Sequence, residues 1–183
     1  ELSSLNQSGN YSSITFETDS PLLDITPPYY TYFDDGSGDL IPSVYLNFDE
    51  TVNFDSGSGN LYVSMEGPMG CCMFEDDESG IYNIGLRFIS PSGQVEDIFV
   101  RGQDPLNVIS GSWSEYSVYS PAMIYGNSID YAQFELILPA NIELGTYQLQ
   151  IIVTDVVGNE LIIEGDELSS LNQSGNYSSI TFE

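Results

Sequence analysis

Residues 82–100 read YNIGLRFISPSGQVEDIFV. Tyr82, Ile84, Leu86 and Phe88 alternate with Asn83, Gly85, Arg87 and Ile89, which is the two-residue period of a β-strand. Ser90-Pro91-Ser92-Gly93 is a tight-turn sequence, and Val95 to Val100 is a second β-prone run. The stretch therefore predicts an antiparallel hairpin.

The same pattern recurs outward from it. Ala132, Phe134, Leu136 and Leu138 alternate, Asn141 to Gly145 turns, and Tyr147, Leu149, Ile151 and Val153 alternate again. Asp155 to Asn159 is a further turn, and Leu161 to Ile163 closes a second hairpin. On the other side, Tyr29 to Phe33, Val44 to Phe48 and Leu61 to Met65 read as strands, with Gly-rich turns at 34–39 and 54–60. Residues 67–80 read as a loop, and 102–128 as a long Tyr-rich excursion with one strand at most. Residues 166–171 fit one helical turn, and Tyr177 to Phe182 is a last strand. No segment carries a sustained helix period. Short strands punctuated by turns about every ten residues predict an all-β sandwich.

Residues 1–17, ELSSLNQSGNYSSITFE, occur again without a change at 167–183. A fixed period with full identity marks a tandem array, here with domain-sized units. The alternative is a segment appended at one end, though it bears none of the marks of an expression scar. On the array reading, residues 1–23 are the tail of a preceding repeat plus a linker, and 24–183 form one unit. Thr26-Pro27-Pro28 makes a stiff joint at its start.

Two basic residues, Arg87 and Arg101, face 28 acidic ones, for a net charge of −26, and there is no His. Such a chain repels nucleic acid and anionic membranes. It lacks the imidazole of a Ser/His/Asp triad or a His-ligated zinc, and it lacks the Lys of a phosphate-binding loop. No carboxylate pair stands out as glycosidase-like, so no enzymatic role is expected. Salt or bound cations are needed to screen the self-repulsion. No apolar run is long enough to span a membrane. Cys71 and Cys72 are adjacent, which is no metal-ligand spacing. An oxidised state is favoured, whether vicinal or to a neighbouring subunit, over buried thiols.

Several motifs occur in a telling order. Asp24, Thr26, Pro27 and Pro28 form D-x-T-P-P, and Asp77 to Ile81 read D-E-S-G-I. Phe88 with Ser90 to Gly93 form F-x-S-P-S-G, and Leu144 to Tyr147 with Leu149 form L-G-T-Y-x-L. Val153 to Asp155 with Gly158 and Asn159 form V-T-D-x-x-G-N. The set, with D-E-L-S-S-L before the last strand, resembles bacterial immunoglobulin-like tandem repeats of large extracellular or surface proteins such as adhesin stalks. The resemblance covers roughly residues 24–30 and 76–183; insertions are expected over 31–75 and 102–128. It implies a Greek-key immunoglobulin-like sandwich, a structural or adhesive role, frequent stabilisation by calcium, and no catalytic residues.

If the sandwich follows immunoglobulin order, Asp24, the loop carrying Asp76, Asp77 and Glu78, and the turn from Asp155 to Asn159 share one pole. Ca2+ takes six to eight oxygens of this kind, and these residues are the expected site. The other reading of Asp155 and Asn159 is that they satisfy turn backbone groups. Asp34 to Asp39 lacks the Glu of an EF-hand loop and reads as a plain turn.

Trp113, Tyr116, Tyr119 and Tyr125 are either a glycan-stacking surface, the buried side of the insertion, or a contact between subunits. Asn6 and Asn10, with their copies at 172 and 176, lie in N-glycosylation sequons. The leading expectation is a repeat unit of an extracellular or cell-surface fibre, filament or adhesin stalk. Its partners would be neighbouring copies of itself, in tandem or by strand donation. The alternatives are a glycan- or surface-binding module using residues 102–131 and an accessory domain of a secreted hydrolase.

Overall fold

A computed structural model describes residues 24–34, 36–38, 40–42, 44–48, 51–52, 59–67, 72–100, 109–110, 116–117, 122–125, 127–171 and 178–183. The first strands are β1 (Tyr29–Tyr30), β2 (Tyr32–Asp34), β3 (Leu40–Pro42), β4 (Tyr45–Phe48), β5 (Thr51–Val52), β6 (Gly59–Glu66) and β7 (Phe74–Glu75). Then come β8 (Ile81–Ile89), β9 (Val95–Val100), β10 (Ile109–Ser110), β11 (Tyr116–Ser117), β12 (Ala122–Tyr125) and β13 (Ser128–Leu138). The chain closes with β14 (Gly145–Asp155), β15 (Glu160–Glu164), helix α1 (Gly165–Leu171) and β16 (Ser179–Phe182).

The strands form two seven-stranded sheets and a β2–β3 ribbon. One sheet runs β1-β7-β13-β6-β4, with β11 and β12 also on β13. The other runs β10-β9-β8-β14-β16-β5, with β15 also on β14. All pairs are antiparallel except β16 with β5. Among the described residues the fold is all-β with one short helix.

Alternation explains the core. Leu61, Val63 and Met65 of β6 and Leu136 and Leu138 of β13 join Ile84, Leu86 and Phe88 of β8 and Leu149, Ile151 and Val153 of β14 in one buried cluster. Each such side chain contributes roughly 1.5–3 kcal/mol over leaving it in water. The expected 82–100 hairpin is β8–β9. Its turn closes by Ser90 N–H donating to Gln94 O and Gly93 N–H to Ser90 O, with Gly93 at φ +84°. Across the pair, Arg87 clasps Asp97 bidentately at 2.6 and 2.7 Å.

Several features depart from the sequence reading. The first strand breaks into β1 and β2, which belong to different sheets. The loop at 67–80 contains β7, and the excursion contains three short strands, β10 to β12. The pairing of β8 with β14 slips between Thr154 and Asp155, whose partners are Asn83 and Ile81. Tyr82 is the extra residue of this bulge and is only half-buried, while Ile81 is buried. The helical turn at 166–171 is α1, anchored by Leu168 and Leu171. A seven-residue helix is too short to persist alone.

Gly85 pairs with Phe99. A Cβ there would stand 2.2 Å from Phe99 Cδ1 and 2.9 Å from the Ile98 carbonyl oxygen. The carbonyl belongs to the ladder and cannot withdraw. Gly85→Ala is expected to lower stability by about 1–3 kcal/mol through overpacking. Urea unfolding checks this, with the midpoint falling at unchanged slope.

Candidate metal centre

Asp155 is the last residue of β14 and shares the inward face of Ile151 and Val153 by the strand's alternation. Its Oδ1 accepts the backbone N–H groups of Val157, Gly158 and Asn159 at 2.9, 2.6 and 2.8 Å. Gly158 takes φ +99°, which closes this turn. Asp76, just after β7, repeats the device. Its Oδ1 accepts from Glu78, Ser79 and Gly80 at 3.2, 2.8 and 2.6 Å. The two turns are tied together by Val156 N–H donating to Gly80 O at 2.9 Å. Asp24 enters from the proline joint, its Oδ1 accepting from the Thr26 amide at 3.1 Å and hydroxyl at 3.2 Å.

These three aspartates come from segments far apart in the chain, yet their carboxylate oxygens lie within 4.8 Å of one another. Asp76 is 2 % exposed, Asp155 1 % and Asp24 9 %. Asp24 Oδ2 is buried without a hydrogen-bond partner, and so is the Ser79 hydroxyl. That hydroxyl faces Asp24 without closing a hydrogen bond of full geometry. It is the largest influence holding the Asp24 carboxyl below its ordinary 3.8, with Thr26 assisting and burial opposing. Glu78 lies beside Asp24, and sharing hydrogen bonding with that carboxylate, then desolvation and repulsion, raises it above its ordinary 4.5.

Ca2+ binds oxygens at about 2.3–2.6 Å, so two ligands of one ion stand at most about 5 Å apart. The Asp24–Asp76–Asp155 spacing falls inside that limit. The orphaned Asp24 Oδ2 supplies an unused acceptor of the hard, anionic kind such an ion takes. The three carboxylates could hold a metal ion.

The other sequence candidates divide. Asp77 is exposed and accepts the Tyr29 hydroxyl at 3.0 Å. Asn159 presents its amide Nδ2 to the acids, donating to Asp155 Oδ2 at 2.7 Å and to the Asp24 carbonyl oxygen at 3.2 Å. It clips Asp24 to the last hairpin turn as a donor. Cys72 is disulfide-bonded, and Cys71, the chain's other cysteine, lies outside the described residues. Trp113 and Tyr119 also lie outside them, and Tyr116 and Tyr125 sit on β11 and β12, both paired with β13.

Sequence reasoning missed an aromatic groove beside this pole. Tyr29, Tyr30, Thr31, Tyr32, Glu75 and Leu161 line a space of about 500 Å³. Tyr30 and Tyr32 stack at a tilt, with ring centroids 5.4 Å apart. Desolvation, then hydrogen bonding to Asp77, pushes the Tyr29 hydroxyl up to about 12. The run Tyr29-Tyr30-Thr31-Tyr32 was visible, but its partners Glu75 and Leu161 are remote in sequence.

The Glu78 shift has a definite sign. In the range just above 4.5 the folded chain holds a proton that the unfolded chain has released, so stability falls as pH rises through it. Asp24 acts oppositely, losing its contribution as pH falls below 3.8. In metal-free buffer, Glu78→Gln is expected to remove the decline above 4.5. Urea midpoints from pH 4 to 7 measure it, and a decline unchanged in the variant would contradict the assignment.

Among the described residues, no helix is long and apolar enough to cross a membrane. In comparisons with known proteins, no family model and no curated sequence matches this chain.

Proposed function

We propose that residues 24–183 are one structural repeat of a long extracellular or cell-surface fibre, filament or adhesin stalk. The unit is an immunoglobulin-like Greek-key sandwich whose joints to its neighbours are stiffened by Ca2+. It is not an enzyme, and its partners are other copies of itself.

One observation carries this reading: the unit is entered and left at opposite ends. Asp24 lies at the Asp155 end of β14, whereas β16 finishes with Phe182 opposite Gly145, at the other end. Ten residues of strand, about 33 Å, separate the two. In the first copy of the repeated segment, Glu17 is followed by TDSPLLD and the next entry pole. Units joined in this way succeed one another head to tail along the strand direction. Each joint then falls beside the three aspartates, where a cation would offset the repulsion between like-charged units.

Native material should appear in electron micrographs as filaments with a regular axial period between about 35 and 60 Å, from strand length plus an extended linker. Calcium should raise the melting temperature, by about 2.7 kcal/mol of added stability at a hundredfold excess over Kd. EDTA should reverse the gain, and Asp24→Ala should abolish the response. Isolated globular particles and a melting temperature indifferent to calcium would refute the proposal.

The Tyr29–Tyr32 groove favours a second reading, a glycan-binding module, since Tyr29 and Tyr32 leave ring surface open to stack on sugar. A glycan array probed with the unit and with Tyr32→Ala separates it from the first.

A further inference from the structure

The two sheets leave a seam between their edges. Among the described residues, β1 pairs only with β7 and β15 only with β14, so each lies at the margin of its sheet. Tyr29, Tyr30 and Tyr32 on one side and Leu161 on the other line the groove of about 500 Å³. Its backbone is held in place, since Tyr29 pairs with Glu75 and the Thr31 N–H donates to Met73 O at 3.0 Å. Yet Tyr32 is 54 % exposed and Tyr29 41 %, which leaves ring carbon against water.

Carboxylates gather round these rings. The Tyr29 hydroxyl donates to Glu75 Oε2 at 3.3 Å and to Asp77 Oδ2 at 3.0 Å. Tyr32 donates to the Tyr30 hydroxyl at 3.4 Å. Hydrogen bonding to Tyr32, then desolvation and the Glu167 carboxylate of α1, raise the Tyr30 hydroxyl above its ordinary 10. Acids from β7, the turn after it and α1 thus converge on one aromatic groove. Among the described residues the single cation is Arg87, and Asp97 clasps it on the β8–β9 pair. Arg101 lies outside the described residues.

We propose that this groove binds an arginine side chain of a partner protein, its guanidinium stacked on tyrosine rings and paired with the carboxylates beside them. A tyrosine ring attracts a cation over its face, and a hydroxyl donating to a carboxylate enriches that ring further. A guanidinium is flat, weakly hydrated and forked, so it stacks on rings and pairs with carboxylates at once. A sugar needs donors as well as acceptors, but the Tyr29 hydroxyl donates to the acids and the Thr31 hydroxyl to the Cys72 carbonyl oxygen. The net charge of −26 draws a basic partner from a distance and repels a second copy of this chain. The inference rests on the groove alone, whether or not the protein is a calcium-bound fibre.

The test titrates the 183-residue chain with a blocked Gly-Arg-Gly peptide, followed by NMR. Salt at about 0.1 M, where the Debye length is about 10 Å, subdues diffuse attraction. The same peptide with citrulline in place of arginine keeps the shape and loses the charge, and should bind about tenfold more weakly or not at all. Tyr32→Ala should weaken the arginine peptide about fivefold, whereas Tyr32→Phe, which keeps the ring, should hold most of the affinity. Glu75→Gln should weaken it to a similar degree. Glu143→Gln, next to the start of β14 and remote from Leu161, should change nothing. Circular dichroism and urea midpoints confirm that each variant is folded. The proposal is overturned if the arginine peptide does not bind, or if the citrulline peptide binds as well. It is equally overturned if Tyr32→Phe loses as much as Tyr32→Ala, or if Glu143→Gln weakens binding as much as Glu75→Gln, since the attraction would then be spread over the whole surface.

Discussion

Strand β14 has two edges and three partners. One edge pairs with β8 from Gln148 to Asp155, and the other is divided between β15 and β16. Its inward side chains Leu149, Ile151 and Val153 sit at the centre of the core, and its last residue is Asp155. The rest of the fold depends on this arrangement, because a strand edge left open inside a sheet costs both hydrogen bonds and apolar cover. The repeated segment meets that need for the upper half of the edge. Helix α1, too short to persist alone, is held by the same surroundings through Leu168 and Leu171.

The charge of the chain is managed locally as well as by solvent. Asp76 and Asp155 each direct one oxygen to three backbone amides, which holds a turn in place and brings the two turns together. The same device draws negative charge inward at one end of the unit. Asp24 then arrives with an unpartnered oxygen, and Glu78 is forced against it. An assembly of aspartates this close is tolerable because the amides and Asn159 already compensate two of them. What remains uncompensated is concentrated at the entry to the domain.

Much of this was legible in the sequence, and the failures have physical causes. Strand β8 and the run from Ala132 to Ile163 carry apolar residues at every second position, since one face of each strand is core, although Ile152 is buried as well. Tyr82 broke the pattern because the bulge shifts the register by one residue, and local sequence does not announce a bulge without a glycine. Strands β1, β7, β10 and β11 are two residues long and have no period to read. Their existence depends on neighbours from elsewhere in the chain. The convergence of Asp24, Asp76 and Asp155 could be anticipated only through an assumed topology. That Asn159 turns its amide nitrogen to the acids depends on hydrogen bonds that no spacing encodes. Leu161 and Glu75 complete the tyrosine groove from more than 40 residues away, beyond any local signal.

The opposed entrances of the unit have a further consequence. A pull applied at Glu183 and resisted at Asp24 acts along β16 and β14, nearly parallel to both. Inter-strand hydrogen bonds of an antiparallel pair lie perpendicular to the strands, so tension loads the whole β14–β16 ladder in shear at once. Peeling from one end would break those bonds one after another at far lower force. The direction in which the chain threads this fold is therefore the direction in which it resists extension best.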